Sequence, residues 1–165
     1  MSLPSAWTLN LVPIAWNESA TLHAKIFYVA SDLLAPRSPR FELLHRELFK
    51  AVAAQGRANN LDAQVDHYAG IFARYGMGRA EFLAQLSSFT VRSRVKSAEG
   101  VVHTLKVIES PVMMINDEGL VLNRDVRSVK GATAIADFLI RKSVEQSEQA
   151  LSESATAAKG YLFVG

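Results

Sequence analysis

The 165-residue chain contains no cysteine. Disulfides, thiolate metal sites and cysteine nucleophiles are therefore excluded within it. It has no apolar run near the roughly 18 residues of a membrane span and no internal repeat. Charge of one sign is not in excess: 18 Lys and Arg against 16 Asp and Glu leave a net charge of +2. With the basic residues scattered, this gives no electrostatic footprint for nucleic acid. Met1-Ser2-Leu3-Pro4-Ser5 shows no basic stretch followed by an apolar one, so no signal peptide is expected there. The expectation is a cytosolic chain, or one whose natural N-terminus has been removed.

What is present suits a globular domain. Apolar residues make up 49% and charged residues 21%, close to the globular norm. The length fits one domain, or one domain with an insertion, and lets about 68–70% of the unfolded surface leave water. Trp7-Thr8-Leu9-Asn10-Leu11-Val12-Pro13-Ile14 alternates and then turns apolar, which predicts a strand that Pro13 ends or places at an edge. Asn17 or Ser19 then caps a helix with Leu22, Ile26, Val29 and Leu33 on one face. Ser38 caps a second, with Pro39 in its first turn and Phe41, Leu44, Leu48 and Val52 as its stripe. Leu61, Val65, Tyr68 and Phe72 predict a third helix, stopped by Gly76, and Phe82, Leu83 and Leu86 a short fourth. The fifth carries Val91, Val95, Ala98, Val102 and Leu105, with Gly100 inside it at a cost of about 1 kcal/mol relative to alanine.

Ser110-Pro111-Val112-Met113-Met114-Ile115-Asn116-Asp117-Glu118-Gly119 organises the rest. A proline opens an apolar run, where a missing backbone donor is tolerated. A polar turn then returns the chain through Leu120-Val121-Leu122, which predicts a β-hairpin. An ordinary trans proline opening an edge strand fits these residues, as does a cis one. A sixth helix follows with Ile135, Phe138 and Leu139 as its core face, then a polar fraying helix or tail from Ser143 to Lys159. Tyr161-Leu162-Phe163-Val164 forms a short strand-like run at the end. The fold class is therefore α/β (α+β): a small sheet layered with helices, helices two to five forming an inserted bundle.

Chemistry is sparse. His23, His45, His67 and His103 include no pair at the i, i+4 spacing of a helical metal site. His67 beside Asp62 and Asp66 suggests a helix-face ion pair, and His103 a partly buried, hydrogen-bonded ring. No Gly-x-Ser-x-Gly elbow is present, and Gly76-Met77-Gly78 lacks a dinucleotide site's third glycine. Asp117-Glu118-Gly119 matches a hairpin turn as well as it matches a metal loop. Arg92, Arg94 and Lys96 read as a solvated face, and Trp7 and Trp16 fit either burial or a peptide-binding rim. No catalytic residue, metal ligand or cofactor is assigned.

A family resemblance runs through the same residues. It is carried by Leu44-His45-Arg46-Glu47-Leu48-Phe49-Lys50-Ala51-Val52 with Gln55-Gly56-Arg57, by Phe82-Leu83 and by Ser88-Phe89-Thr90-Val91-Arg92-Ser93-Arg94-Val95. Ser110-Pro111-Val112-Met113-Met114-Ile115-Asn116 completes it, and Leu22-His23-Ala24-Lys25-Ile26-Phe27-Tyr28 looks like the helix that enters the insertion. In order and spacing these stretches resemble the DsbA family of bacterial thiol:disulfide oxidoreductases over residues 8–142. The resemblance implies a thioredoxin-like sheet, here residues 7–34 and 106–142, interrupted by a helical insertion of residues 38–105 and followed by a tail of residues 143–165. It implies a cis bond at Pro111 and a polypeptide substrate or partner protein bound beside Ser110, Pro111 and Val112. It also implies a periplasmic setting; a complete chain without a signal would be cytoplasmic.

The family's Cys-x-x-Cys and its first strand-helix unit have no counterpart here. Thiol–disulfide exchange needs an attacking thiolate, so the expectation is a truncated or degenerate, redox-inactive member. The alternatives are a peptide-binding module that uses the cis-proline groove and, more distantly, a kappa-class glutathione transferase relative. The missing strand would leave open sheet edges, which a strand-completing homodimer or Tyr161-Leu162-Phe163-Val164 would fill.

Overall fold

The computed structural model describes residues 10–55, 60–108, 112–115, 119–122 and 128–158. In chain order these form α1 (Glu18–Leu33), α2 (Pro39–Gln55), α3 (Leu61–Ala73), α4 (Arg79–Leu86), α5 (Phe89–Thr104), β1 (Val112–Ile115), β2 (Gly119–Leu122) and α6 (Val129–Ala158). The chain divides into two compact units, Asn10–Lys106 and Met1–Leu9 with Val107–Gly165.

The first unit is helical, and its helices begin where the sequence supplies acceptors for orphan backbone donors. The Asn17 side chain accepts from the Ala20 N–H at 2.9 Å, Ser38 Oγ from Phe41 at 3.1 Å and Asn60 from Ala63 at 3.1 Å. Ser88 Oγ accepts from Val91 at 3.2 Å. Gly76 ends the turn after α3 at φ +97, in the left-handed region that glycine enters without a Cβ penalty. Lys106 adopts the same region, φ 50, immediately after α5.

Packing follows the predicted stripes with two shifts. Leu22, Ile26 and Val29 of α1 are buried, as are Phe41, Leu44 and Leu48 of α2, Tyr68 and Phe72 of α3, Phe82 of α4 and Val91, Val95 and Ala98 of α5. Val52, expected in the α2 stripe, is instead 37% exposed, and Ala51 takes its place. The apolar row drifts around the helix because 3.6 residues per turn is not a simple repeat. Gly100 does not interrupt α5. α1 packs on α2, α4 and α5, and α3 on α2 and α4. α1, expected from sequence with the sheet, therefore lies within the helical unit. Each large core side chain contributes about 1.5–3 kcal/mol through burial.

The expected first strand is not found where it can be checked. Residues 10–14 form no strand, and Leu11 and Val12 are exposed. Pro13 supplies the reason, since it cannot donate to a ladder. The strand's opening residues 7–9 and the run 161–164 lie outside the described residues.

The second unit pairs β1 and β2 antiparallel, with Val112 opposite Leu122 and Ile115 opposite Gly119. A lone hairpin is marginal in water; α6 packs on both strands. Its buried contacts are Ala136 and Ile140, with Leu139 partly buried beside them. Ile135 and Phe138, expected in that core, are 37% and 64% exposed. The packed face is rotated by about one residue, from Ile135 and Leu139 to Ala136 and Ile140. The segment expected as a fraying helix or tail continues α6 as helix to Ala158.

Phe72→Ala should lower the unfolding free energy by about 3–5 kcal/mol, and Ser88→Ala by about 1 kcal/mol. Phe89→Ala, at a side chain 78% exposed, should change it by no more than about 0.5 kcal/mol. Urea denaturation followed by circular dichroism checks the order.

Candidate functional site

Of the three residues assigned to polypeptide binding, the structure places Val112. It opens β1, pairs with Leu122 and is half-buried. Ser110 and Pro111 lie outside the described residues, as does the turn Asn116-Asp117-Glu118. Val112 is followed by apolar residues throughout β1, and Met114, two residues on along the same strand, is half-buried like it.

The helical unit carries the polar geometry. Glu47 of α2 accepts from Tyr75 Oη at 3.0 Å and pairs with Arg74. The Arg74 guanidinium is the main cause that holds the Glu47 carboxyl below the usual carboxylate value. Asp66 pairs with Arg79 at 2.6 Å, so the ion pair expected between Asp66 and His67 gives way to an arginine one. A groove of about 610 Å³ between α2 and α3 is lined by Glu47, Lys50, Ala51, Asp66, Gly70 and Arg74. Its carboxylates are already held by arginines. His67 and Ile71 also line it, and among the described residues no cluster of three His, Asp or Glu could hold a metal ion.

Arg94 departs from the expected solvated face. It pairs with Asp32 at 2.5 Å and lies 4.5 Å above the Tyr28 ring, so it ties α5 to α1 by charge and by cation–π attraction. His103 is exposed rather than partly buried, and Trp16 is 52% exposed.

Two features escaped the sequence reading. Phe41, His45 and Phe49 form a ring row along α2, His45 stacked on Phe41 at 5.4 Å and edge-on to Phe49 at 4.8 Å. Their i, i+4 spacing was a legible signal. The other is the edge-on contact between His23 and Tyr68, with centroids 5.8 Å apart. No spacing announces it, because the residues stand 45 positions apart on different helices.

Comparison with known proteins bears on the fold. No family model matches the chain, and no curated protein matches it. The crystal structure of Pseudomonas aeruginosa DsbA matches with a TM-score of 0.71 at 17% identity, over 88% of this chain and 72% of that one. The chain has the DsbA fold. The resemblance read from the residue stretches therefore holds at the level of architecture. The DsbA fold here carries no Cys-x-x-Cys, since the 165 residues include no cysteine. No described helix is long and apolar enough to cross a membrane.

Burial holds the His23 and His45 rings below the ordinary histidine value of 6.5, because a desolvated imidazole resists charging. The unfolded chain therefore binds protons at these rings before the folded one does. Their stabilising contribution is complete above about pH 6.5 and is lost as the pH falls through that value toward the depressed folded values. The urea midpoint should thus be higher at pH 7.5 than at pH 5.5, and replacing both rings by glutamine should flatten the dependence. A wild-type midpoint that stays level or rises on acidification contradicts this assignment.

Proposed function

We propose that this chain is a polypeptide-holding protein of the DsbA type, in which an extended segment of another protein lies beside Ser110, Pro111 and Val112. One observation carries the reading: the DsbA fold occurs in a sequence without a thiol. Exchange requires an attacking thiolate, whereas holding a polypeptide requires only backbone donors and acceptors next to apolar side chains. β1 supplies both kinds of group. An added strand gains main-chain hydrogen bonds, and alternate side chains set its preference. In this reading the partner is an unfolded or extended protein in a periplasmic setting, and neither metal nor cofactor takes part.

A second reading keeps the same groove but joins it to thiols outside these 165 residues, as the non-thiol part of a disulfide oxidoreductase. The match supports it by covering 72% of the DsbA chain. Sequencing the DNA upstream of the Met1 codon tests it, through the presence or absence of an in-frame Cys-x-x-Cys.

The first reading is tested by titrating the protein with a reduced, carboxymethylated polypeptide and following backbone amide shifts. Saturable binding is expected, weakened about tenfold, or about 1.4 kcal/mol, by Pro111→Ala. Unchanged binding in the variant, or none in the parent, removes the groove from consideration. With a scrambled disulfide substrate the chain alone should give no exchange above background; measurable turnover would contradict the role proposed for it.

A further inference from the structure

We propose that an internal water molecule bridges His23 Nε2 and Tyr68 Oη, joining α1 to α3 inside the helical unit. Tyr68 is fully buried, with 0% of its surface exposed. Its hydroxyl and the Nε2 atom of His23 are both shut off from solvent, and neither has a hydrogen-bond partner among the protein atoms. Buried polar atoms are nearly always satisfied, and two orphans on rings in mutual contact call for one common partner.

The two rings are in contact without a direct bond between their polar atoms. The two rings meet edge to face at 79°, their centroids 5.8 Å apart, without an Oη to Nε2 hydrogen bond. α1 packs on α2, α4 and α5, and α3 on α2 and α4, so the two aromatic side chains reach toward each other across the interior. Gln64, one turn before Tyr68 on α3 and also buried, adds polar character to this interface.

The chemistry fits water and needs no particular tautomer. A neutral imidazole presents Nε2 either as donor or as acceptor, and a phenol hydroxyl does both. Water also does both, so one molecule satisfies either arrangement, and internal waters are placed by such groups. Burial keeps both groups in the neutral forms this requires. It pushes the Tyr68 hydroxyl up to about 12 and the His23 ring down from 6.5.

Tyr68→Phe tests the bridge, because it removes one oxygen and leaves the shape of the side chain intact. An unsatisfied buried hydroxyl is a liability, and its removal leaves stability unchanged or raised. A hydroxyl bound to an ordered water is an asset. The expected result is a five- to tenfold fall in the folded-to-unfolded ratio in urea. The double variant with His23→Phe should lose at least threefold less than the product of the two single losses, because both act through one water. A Tyr68→Phe protein as stable as the parent, or effects that simply multiply, would overturn the proposal. A high-resolution crystal structure gives the second readout. Density within hydrogen-bond distance of both atoms supports the bridge, and a direct protein partner for Tyr68 Oη sinks it.

Discussion

The helical unit depends on α1 having almost no side that faces water over its middle turns. Leu22, Ala24, Ile26, Tyr28, Val29 and Ala30 are all buried, and at 100° per residue they point to more than one flank. A helix apolar on several sides has to be enclosed rather than laid on a surface. α2, α4 and α5 enclose it. Ala24 and Ala30 let neighbours approach, while Arg94 reaches the Tyr28 ring and the Asp32 carboxylate from α5. Short helices such as the eight-residue α4 owe their persistence to that enclosure, since isolated helices of such length are marginal in water.

The helices were legible because burial leaves a periodic trace. Leu22, Ile26 and Val29, or Val91, Val95 and Ala98, announce one packed face each. The trace fails where packing uses a small residue. Ala51 replaces Val52, and Ala136 with Ile140 replaces Ile135 with Phe138, because close approach selects for small size and periodicity counts only large apolar groups. Over residues 10–14 the expected strand is absent for another reason: alternation specifies a strand only if a neighbour completes the ladder, and Pro13 cannot donate to one. Ser110-Pro111-Val112 was read as a local motif, and of these residues the structure describes Val112 alone. The arginine-held carboxylates and the buried Tyr68 hydroxyl were not, because the partners of a polar atom depend on tertiary distance alone.

A DsbA fold without cysteine keeps the architecture and omits the thiolate that disulfide exchange needs. Fold and chemistry are separable in general, and a likeness at 17% identity speaks only to the fold. In this chain the polar side chains of the helical unit are engaged mainly in holding helices together. Glu47, Arg74 and Tyr75 fasten α2 to the end of α3, and Asp66 and Arg79 fasten α3 to α4. These pairs are largely exposed, so each contributes at most about 1 kcal/mol.

The 30 residues of α6 rise through about 45 Å, while a four-residue strand spans about 13 Å. Ser143, half-way along, is the last of its residues described as buried. The first half of the helix draws on burial, through Ala136 and Ile140. Beyond Ser143 the sequence is mainly Ser, Glu, Gln and Ala, and alanine, glutamate and glutamine favour helix by local propensity. One continuous rod thus combines two sources of helicity, tertiary burial and backbone preference.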